Sequence, residues 1–167
     1  MQETPQQYAQ RVLGYLEGKD TMTVLAATPG ELPKLIKGVE RKRLDERPSP
    51  DKWSAAMILA HMADTEIVYA FRLRLMLGAS GITIQGFDQD AWAKTFDYAS
   101  HDPALSVGDF RAVRERTLRM LAGLSKEQWD FYGMHSERGK ETVKRVVELM
   151  AGHDLNHLKQ LRSLLGK

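Results

Sequence analysis

Apolar residues recur at helical spacing along most of the chain. Tyr8, Val12, Tyr15 and Leu16 form a first stripe, residues 55–77 a second and denser one, and Val107, Phe110, Val113, Thr117, Leu118, Leu121 and Leu124 a third. From Thr142 onward, Val143, Val146, Val147, Met150, Leu158, Leu161, Leu164 and Leu165 keep that spacing almost to the end. Each stripe is read as a long helix. Ser54 is placed to cap the second, and Gly78, Gly81 and Gly86 to end it. Between residues 18 and 38, Thr28, Pro29 and Glu31 stand in the order of a capping box with proline in the first turn, which predicts short helices interrupting a long connection. RPSPDKW at 47–53 breaks the pattern, and FDQDAWAKTFDY at 87–98 predicts a short helix over one end of the molecule. Residues 125–129 add a turn, FYGMHSERGKE at 131–141 reads as loop, and no stretch alternates convincingly as a strand. The predicted fold is all-α: a four-helix bundle with long crossover connections and short accessory helices, in one domain spanning residues 1–167. Two of the connections are too long for tight hairpins, which argues against a simple up-down-up-down order.

Charge adds little to this picture. Lys and Arg total 24 against 22 Asp and Glu, a formal net charge of +2. The basic residues gather in residues 34–52, but Glu40, Asp45, Glu46 and Asp51 share that run and no aromatic side chain interleaves it. It reads as a solvated loop, and no nucleic-acid partner is expected. The chain has no cysteine, which excludes disulfides, thiolate ligands and a cysteine nucleophile and agrees with a cytoplasmic setting. The polar N-terminus MQETPQQYAQ lacks the apolar core of a signal peptide, and residues 55–77 carry His61, Asp64, Glu66, Arg72 and Arg74, too polar for a membrane span.

Candidate chemistry sits in the last stripe. AGHDLNHLKQ at 151–160 puts His153 and His157 four apart, on one face of a helix, with Asn156 and Gln160 extending that face. Imidazoles on an otherwise apolar stripe need partners. They can share a cation, or they can be hydrogen-bonded to carboxylates and carbonyls or face a wet groove. His61, in ILAHMADTEI, also lies within a predicted core helix, and across the bundle it completes a set of three nitrogens. His101 and His135 fall in SHDP and GMHSE, loop-like stretches, and are expected at the surface.

KWSAAMILAHMADTE at 52–66, FDQDAW at 87–92 and GHDLNHLKQL at 152–161 together resemble the DinB-like family of metal-dependent four-helix bundles, which includes YfiT-type proposed hydrolases and bacterial thiol-dependent S-transferases. The resemblance covers nearly the whole chain. It implies that His61, His153 and His157 are the metal ligands, that helix order is unusual with long crossovers, and that the protein is a homodimer. Three imidazoles leave a divalent cation an open position, and zinc or nickel suits such a set. Two reactions share this inner shell: hydrolysis of a small electrophilic substrate, and attack on it by a low-molecular-weight thiol co-substrate. A non-catalytic metal-binding stress or ligand-sensing protein is the alternative. Asp64, one turn after His61, and Gln160 are candidate catalytic assistants, while Asp88, Asp90 and Trp92 are candidates for a lid or pocket wall.

Overall fold

Helix caps written in the sequence set most of the element boundaries. In the computed structural model, which describes residues 3–167, Thr4 and Gln7 form a reciprocal capping box at the start of α1 (Pro5–Gly14). Asp20 caps α2 (Thr21–Ile36), and the short α3 (Arg41–Asp45) follows. Ser54 caps α4 (Ala55–Gly78) through the Met57 N–H, as its position predicts. Strand β1 (Ile82–Ile84) leads to α5 (Gln89–Thr95), capped by Asp88, and then to α6 (Pro103–Ala122), capped by Asp102. A 3-10 turn (Glu127–Asp130), β2 (Tyr132–His135) and β3 (Gly139–Thr142) precede α7 (Val143–Leu165). Thr142 caps α7, and Gly166, at φ 69°, ends it in the left-handed conformation that glycine adopts without a Cβ penalty.

The four long helices are α2, α4, α6 and α7. Around the bundle α2 touches α6 and α7, and α4 touches the same two, so α2 stands diagonal to α4 and α6 diagonal to α7. Two of the three chain connections between long helices therefore cross the bundle, which is why they are long. The first stripe is not a bundle member: α1 is ten residues long and lies against α7. At that contact a Cβ on Gly152 would come within 2.4 Å of the Val12 carbonyl oxygen. Only glycine admits so close an approach. Arg11 of α1 also donates to Asn156 Oδ1 of α7 at 2.8 Å.

The fourth long helix comes instead from residues 21–36, where the sequence predicts interrupted short helices. Pro29 and Pro33 lie inside it. Thr28 does not cap; its hydroxyl donates to the Val24 carbonyl at 3.0 Å, within the helix. Proline at position 29 removes the N–H that would normally reach the Leu25 carbonyl. Arg114 of α6 supplies that carbonyl with a replacement donor at 3.1 Å. A tertiary contact thus lets the helix run through its breaker.

The predicted loop at 131–141 is also corrected. It forms a hairpin, β2 pairing antiparallel with β3 and parallel with β1, in a three-stranded sheet. Gly133 is required at its centre, because a Cβ there would meet Ile84 Cδ1 at 2.3 Å. The strands pack against α4, and α7 begins directly from β3. Helix α4 is buried on nearly all sides, its alanines 55, 56, 60, 63 and 70 letting neighbours approach closely. It joins two apolar sets, one around Leu25, Leu73, Met76 and Met150 and one around Leu32, Leu59, Phe110 and Leu161. The basic run is paired locally, Lys34 with Glu31 at 2.9 Å, Arg41 with Asp45 at 2.7 Å, and Arg43 with Glu46. Among the described residues no helix is long and apolar enough to cross a membrane.

Candidate metal centre

Helices α4 and α7 bring His61, His153 and His157 together. One ring nitrogen from each lies within 4.8 Å of the other two, and all three residues are buried. His61 Nε2 and His153 Nε2 stand 3.0 Å apart. Two imidazole nitrogens that close either share a proton or face one cation, and ligand nitrogens about 2.0–2.1 Å from a zinc ion lie on the order of 3 Å from each other. The spacing fits a divalent metal.

Protonation favours the same reading. Burial holds His61 and His153 well below the ordinary imidazole value, with the neighbouring histidines adding to the effect. Burial lowers His157 to about 4, partly offset by Gln160. All three rings are therefore neutral near pH 7, the form in which imidazole binds metal. His157 Nδ1 lies 2.8 Å from Gln160 Oε1, which can only accept, so the proton belongs on Nδ1 and the Nε2 lone pair is left free. Gln160, although exposed, thereby orients the His157 ring. Packing fixes the other two rings: Trp53 lies 4.9 Å from His61, and Tyr69 stands edge-on to His153 at 5.9 Å. Thr65 Oγ1 is 3.3 Å from His61 Nδ1.

The DinB superfamily model matches residues 25–161, which span α2 to α7 and contain all three histidines. The chain belongs to the DinB superfamily. A protein of Oceanobacillus iheyensis named "Putative metal-dependent hydrolase" is 25% identical over 138 residues, 80% of each chain. One of the same name from Bacillus cereus is 26% identical over 137 residues, 81% of this chain and 78% of that one. Among solved structures, YfiT from Bacillus subtilis, described as "a probable metal-dependent hydrolase with an unusual four-helix bundle topology", superposes with a TM-score of 0.78 at 21% identity. The match covers 87% of this chain and 86% of YfiT, and it shows that the fold is shared.

In this DinB-superfamily chain, His61 and His153 open onto a cleft of about 350 Å³, walled by Tyr8, Thr65, Tyr69, Arg72, Phe87, His135 and Arg138 among others. A separate cleft of about 410 Å³, between α2 and α7, holds none of the histidines. The sequence-predicted residues fall into three groups. His61, His153, His157 and Gln160 come together. Asp64 points elsewhere, accepting the Tyr98 hydroxyl proton at 2.7 Å, and no hydrogen bond joins it to an imidazole. Asn156 is held by Arg11, Asp88 caps α5, and Trp92 packs on Phe87 at 4.6 Å. His101 Nε2 lies 3.0 Å from the Phe96 carbonyl.

Two interior groups escape the sequence reading. His135 is 4% exposed, carried inward by the alternation of β2, and not a surface residue. Arg114, 1% exposed, donates to Glu66 at 2.7 and 2.9 Å and to Asp154 at 2.6 and 3.1 Å, joining α6 to α4 and α7. Burial opposes the Arg114 charge, but Asp154 and then Glu66 overcome it and hold the guanidinium above its ordinary value. The only hint in the sequence is that Glu66, Arg114 and Asp154 each interrupt a predicted apolar segment.

Proposed function

We propose that this protein is a metal-dependent enzyme that uses one divalent cation on His61, His153 and His157 to act on a small electrophilic substrate held in the adjoining cleft. The observation that carries the reading is the set of three buried, neutral imidazoles with no carboxylate bonded to them, open on one side to a cleft. A closed structural site normally has four protein ligands. Zinc or nickel suits the donor set, and when bound supplies Lewis acidity that lowers the pKa of a water or thiol brought to its open side. The chain's own part is to keep the rings neutral by burial, to fix the His157 tautomer through Gln160, and to shape the cleft. The names of the relatives support hydrolysis. Transfer of a low-molecular-weight thiol is supported by a different observation: Asp64, the carboxylate nearest His61 in sequence, is bound to Tyr98 and is not placed to activate water at the histidines.

Elemental analysis of freshly purified protein tests the metal. About one zinc or nickel per chain is expected, and its loss in His61→Ala. Esters and amides are then assayed with and without low-molecular-weight thiols. Thiol-dependent consumption of the electrophile selects S-transfer, thiol-independent hydrolysis selects the hydrolase, and a metal-loaded protein inert to both classes supports a sensing role. Assembly as a homodimer belongs to the same proposal, and light scattering that gives a monomer mass removes it.

A further inference from the structure

The histidine cleft contains a buried cation that, among the described residues, forms no ion pair, although the Glu141 and Glu137 carboxylates lie near enough to favour its charge. Arg72 lies on α4, 8% exposed, and among the described residues no carboxylate oxygen comes within 4.0 Å of its side-chain nitrogens. Its single hydrogen bond runs from Nη2 to the Gln85 carbonyl at 2.6 Å, and its guanidinium carbon lies 5.8 Å from the Phe87 ring centre. Among the described residues, Nε and Nη1 have no hydrogen-bond acceptor. A buried charge is costly unless it is paired, so a guanidinium without an ion pair that lines a cleft is placed to take an anion from outside.

A second unpartnered donor lines the same cleft. His135 Nδ1 accepts the Glu137 backbone N–H at 3.2 Å, which puts the ring proton on Nε2. That Nε2 is sealed from solvent and has no hydrogen-bond partner. Of the two hairpin carboxylates beside them, Glu141 is paired and Glu137, among the described residues, forms no ion pair. Arg138 holds Glu141 through two hydrogen bonds at 2.7 and 2.9 Å, and the Glu137 carboxylate packs over Gly86. Among the described residues, Arg72 and His135 are left with N–H groups that no carboxylate accepts from.

We propose that Arg72 and His135 form a carboxylate-recognition subsite, and that the substrate is an elongated molecule with a carboxylate at this end and its reacting group at the three histidines. The assignment of the reacting end rests on the proposed metal-dependent function; the carboxylate subsite does not. A guanidinium fork with one further N–H suits a planar, two-oxygen anion. Along α4, Thr65 and Tyr69 lie between His61 and Arg72 on the cleft wall. At about 1.5 Å per residue the helix rises roughly 16 Å over that interval, and arginine side chains lean back toward the helix N-terminus, leaving a span on the order of 10 Å.

Benzoate and its uncharged analogue benzamide test the subsite on the full-length protein, as purified and after stripping with a chelator. Binding is followed by calorimetry and by the imidazole nitrogen resonance of His135. Benzoate is expected to saturate both forms, to shift the His135 Nε2 signal, and to bind at least tenfold more tightly than benzamide. Arg72→Met weakens benzoate at least tenfold and His135→Phe at least threefold. Arg72→Lys, which keeps the charge without the fork, weakens it about threefold and decides the matter if the Met variant does not fold. Equal binding of benzoate and benzamide, unchanged binding in both Arg72 variants, absence of saturation, or binding that vanishes on stripping overturns the subsite. A protein that carries no metal yet binds benzoate through Arg72 overturns the proposed function and leaves the subsite standing.

Discussion

Helices α4 and α7 each contribute to two buried polar clusters, and the two are built on opposite plans. Glu66 and Asp154 meet Arg114 in a network whose four carboxylate oxygens each accept a hydrogen bond from the guanidinium. His61, His153 and His157 meet one another, with no carboxylate among them and one side open to a cleft. The first cluster is closed by ion pairs; the second has, among the described residues, no charge partner and is open to a cation. His153 and Asp154 are chain neighbours, so adjacent residues of one helix belong to the histidine cluster and to the closed network on different faces. Because the Arg114 network also reaches the Leu25 carbonyl left without a donor by Pro29, it touches all four long helices and holds the frame on which the histidines are set.

The largest effect is expected from breaking the closed network. Arg114→Leu strands two buried carboxylates and should cost about 3–5 kcal/mol, read as a fall in the urea midpoint. Replacing Arg114, Glu66 and Asp154 together with apolar residues of similar volume should cost far less, because no charge is left unpaired. A single variant that unfolds no more easily than the triple one would mean that the network is not closed as described.

The histidine cluster should respond in the reverse way. In the wild type, metal at a thousandfold excess over its dissociation constant should add about 4 kcal/mol of stability, and His153→Ala should abolish that increment. The metal-free His153→Ala protein should stay folded, within about 1–2 kcal/mol of the metal-free wild type. Thermal melts with and without chelator measure both numbers. Equal melting of loaded and stripped wild type would place the histidines with the structural cluster.

Legibility from sequence follows the same division. Helices α4 and α7 and the pair His153 and His157 are readable because their signals are local: a capping serine at α4, a 3.6-residue period, a polar pair four apart; His61, 92 residues from His153, joins that pair only through the family resemblance. Helix α2 was not, because its survival past Pro29 depends on Arg114, a donor 89 residues away. The sheet was not, because strands of three and four residues are too short for alternation to stand out. With the hairpin went His135, whose inward orientation follows from strand register alone. The Arg114 network was invisible for another reason: a lone charge in an apolar segment reads as an exposed edge until its partners on other helices are known.

Acid should weaken the histidine cluster and the cleft before neutral pH is far behind. His157 and His135 are each lowered to about 4, in both cases mainly by burial, with Arg138 and Arg72 adding to the effect at His135. A histidine that binds its proton more weakly folded than unfolded stabilises fully above the unfolded value of about 6.5 and loses that contribution as pH falls toward the folded value. Metal-free protein should therefore lose stability between about pH 6.5 and 4. His135→Phe should flatten part of the slope, whereas a slope unchanged in that variant would show that His135 is not buried neutral.

A smaller effect is expected at Gln160, which supplies an acceptor to one ring of the histidine cluster. Gln160→Leu leaves His157 Nδ1 without its partner and frees the tautomer, so metal affinity should fall about 10–100-fold with little change in metal-free stability. Competition with a chromophoric chelator measures it. An affinity within twofold of wild type would reduce Gln160 to a surface residue.

The smallest change should come from Asp64, which the sequence places one turn from His61 and the structure turns toward Tyr98. Asp64→Asn keeps an acceptor for the Tyr98 hydroxyl while removing the charge, so it should cost no more than about 1 kcal/mol of stability. Metal affinity should stay within twofold, because no hydrogen bond links this carboxylate to the imidazoles. Tyr98→Phe should behave alike for the metal and lose a similar increment of stability. If Asp64→Asn instead lowers metal affinity tenfold, the carboxylate acts on His61 in the loaded protein, and the histidine cluster has an anionic neighbour that the present hydrogen bonding assigns to the frame.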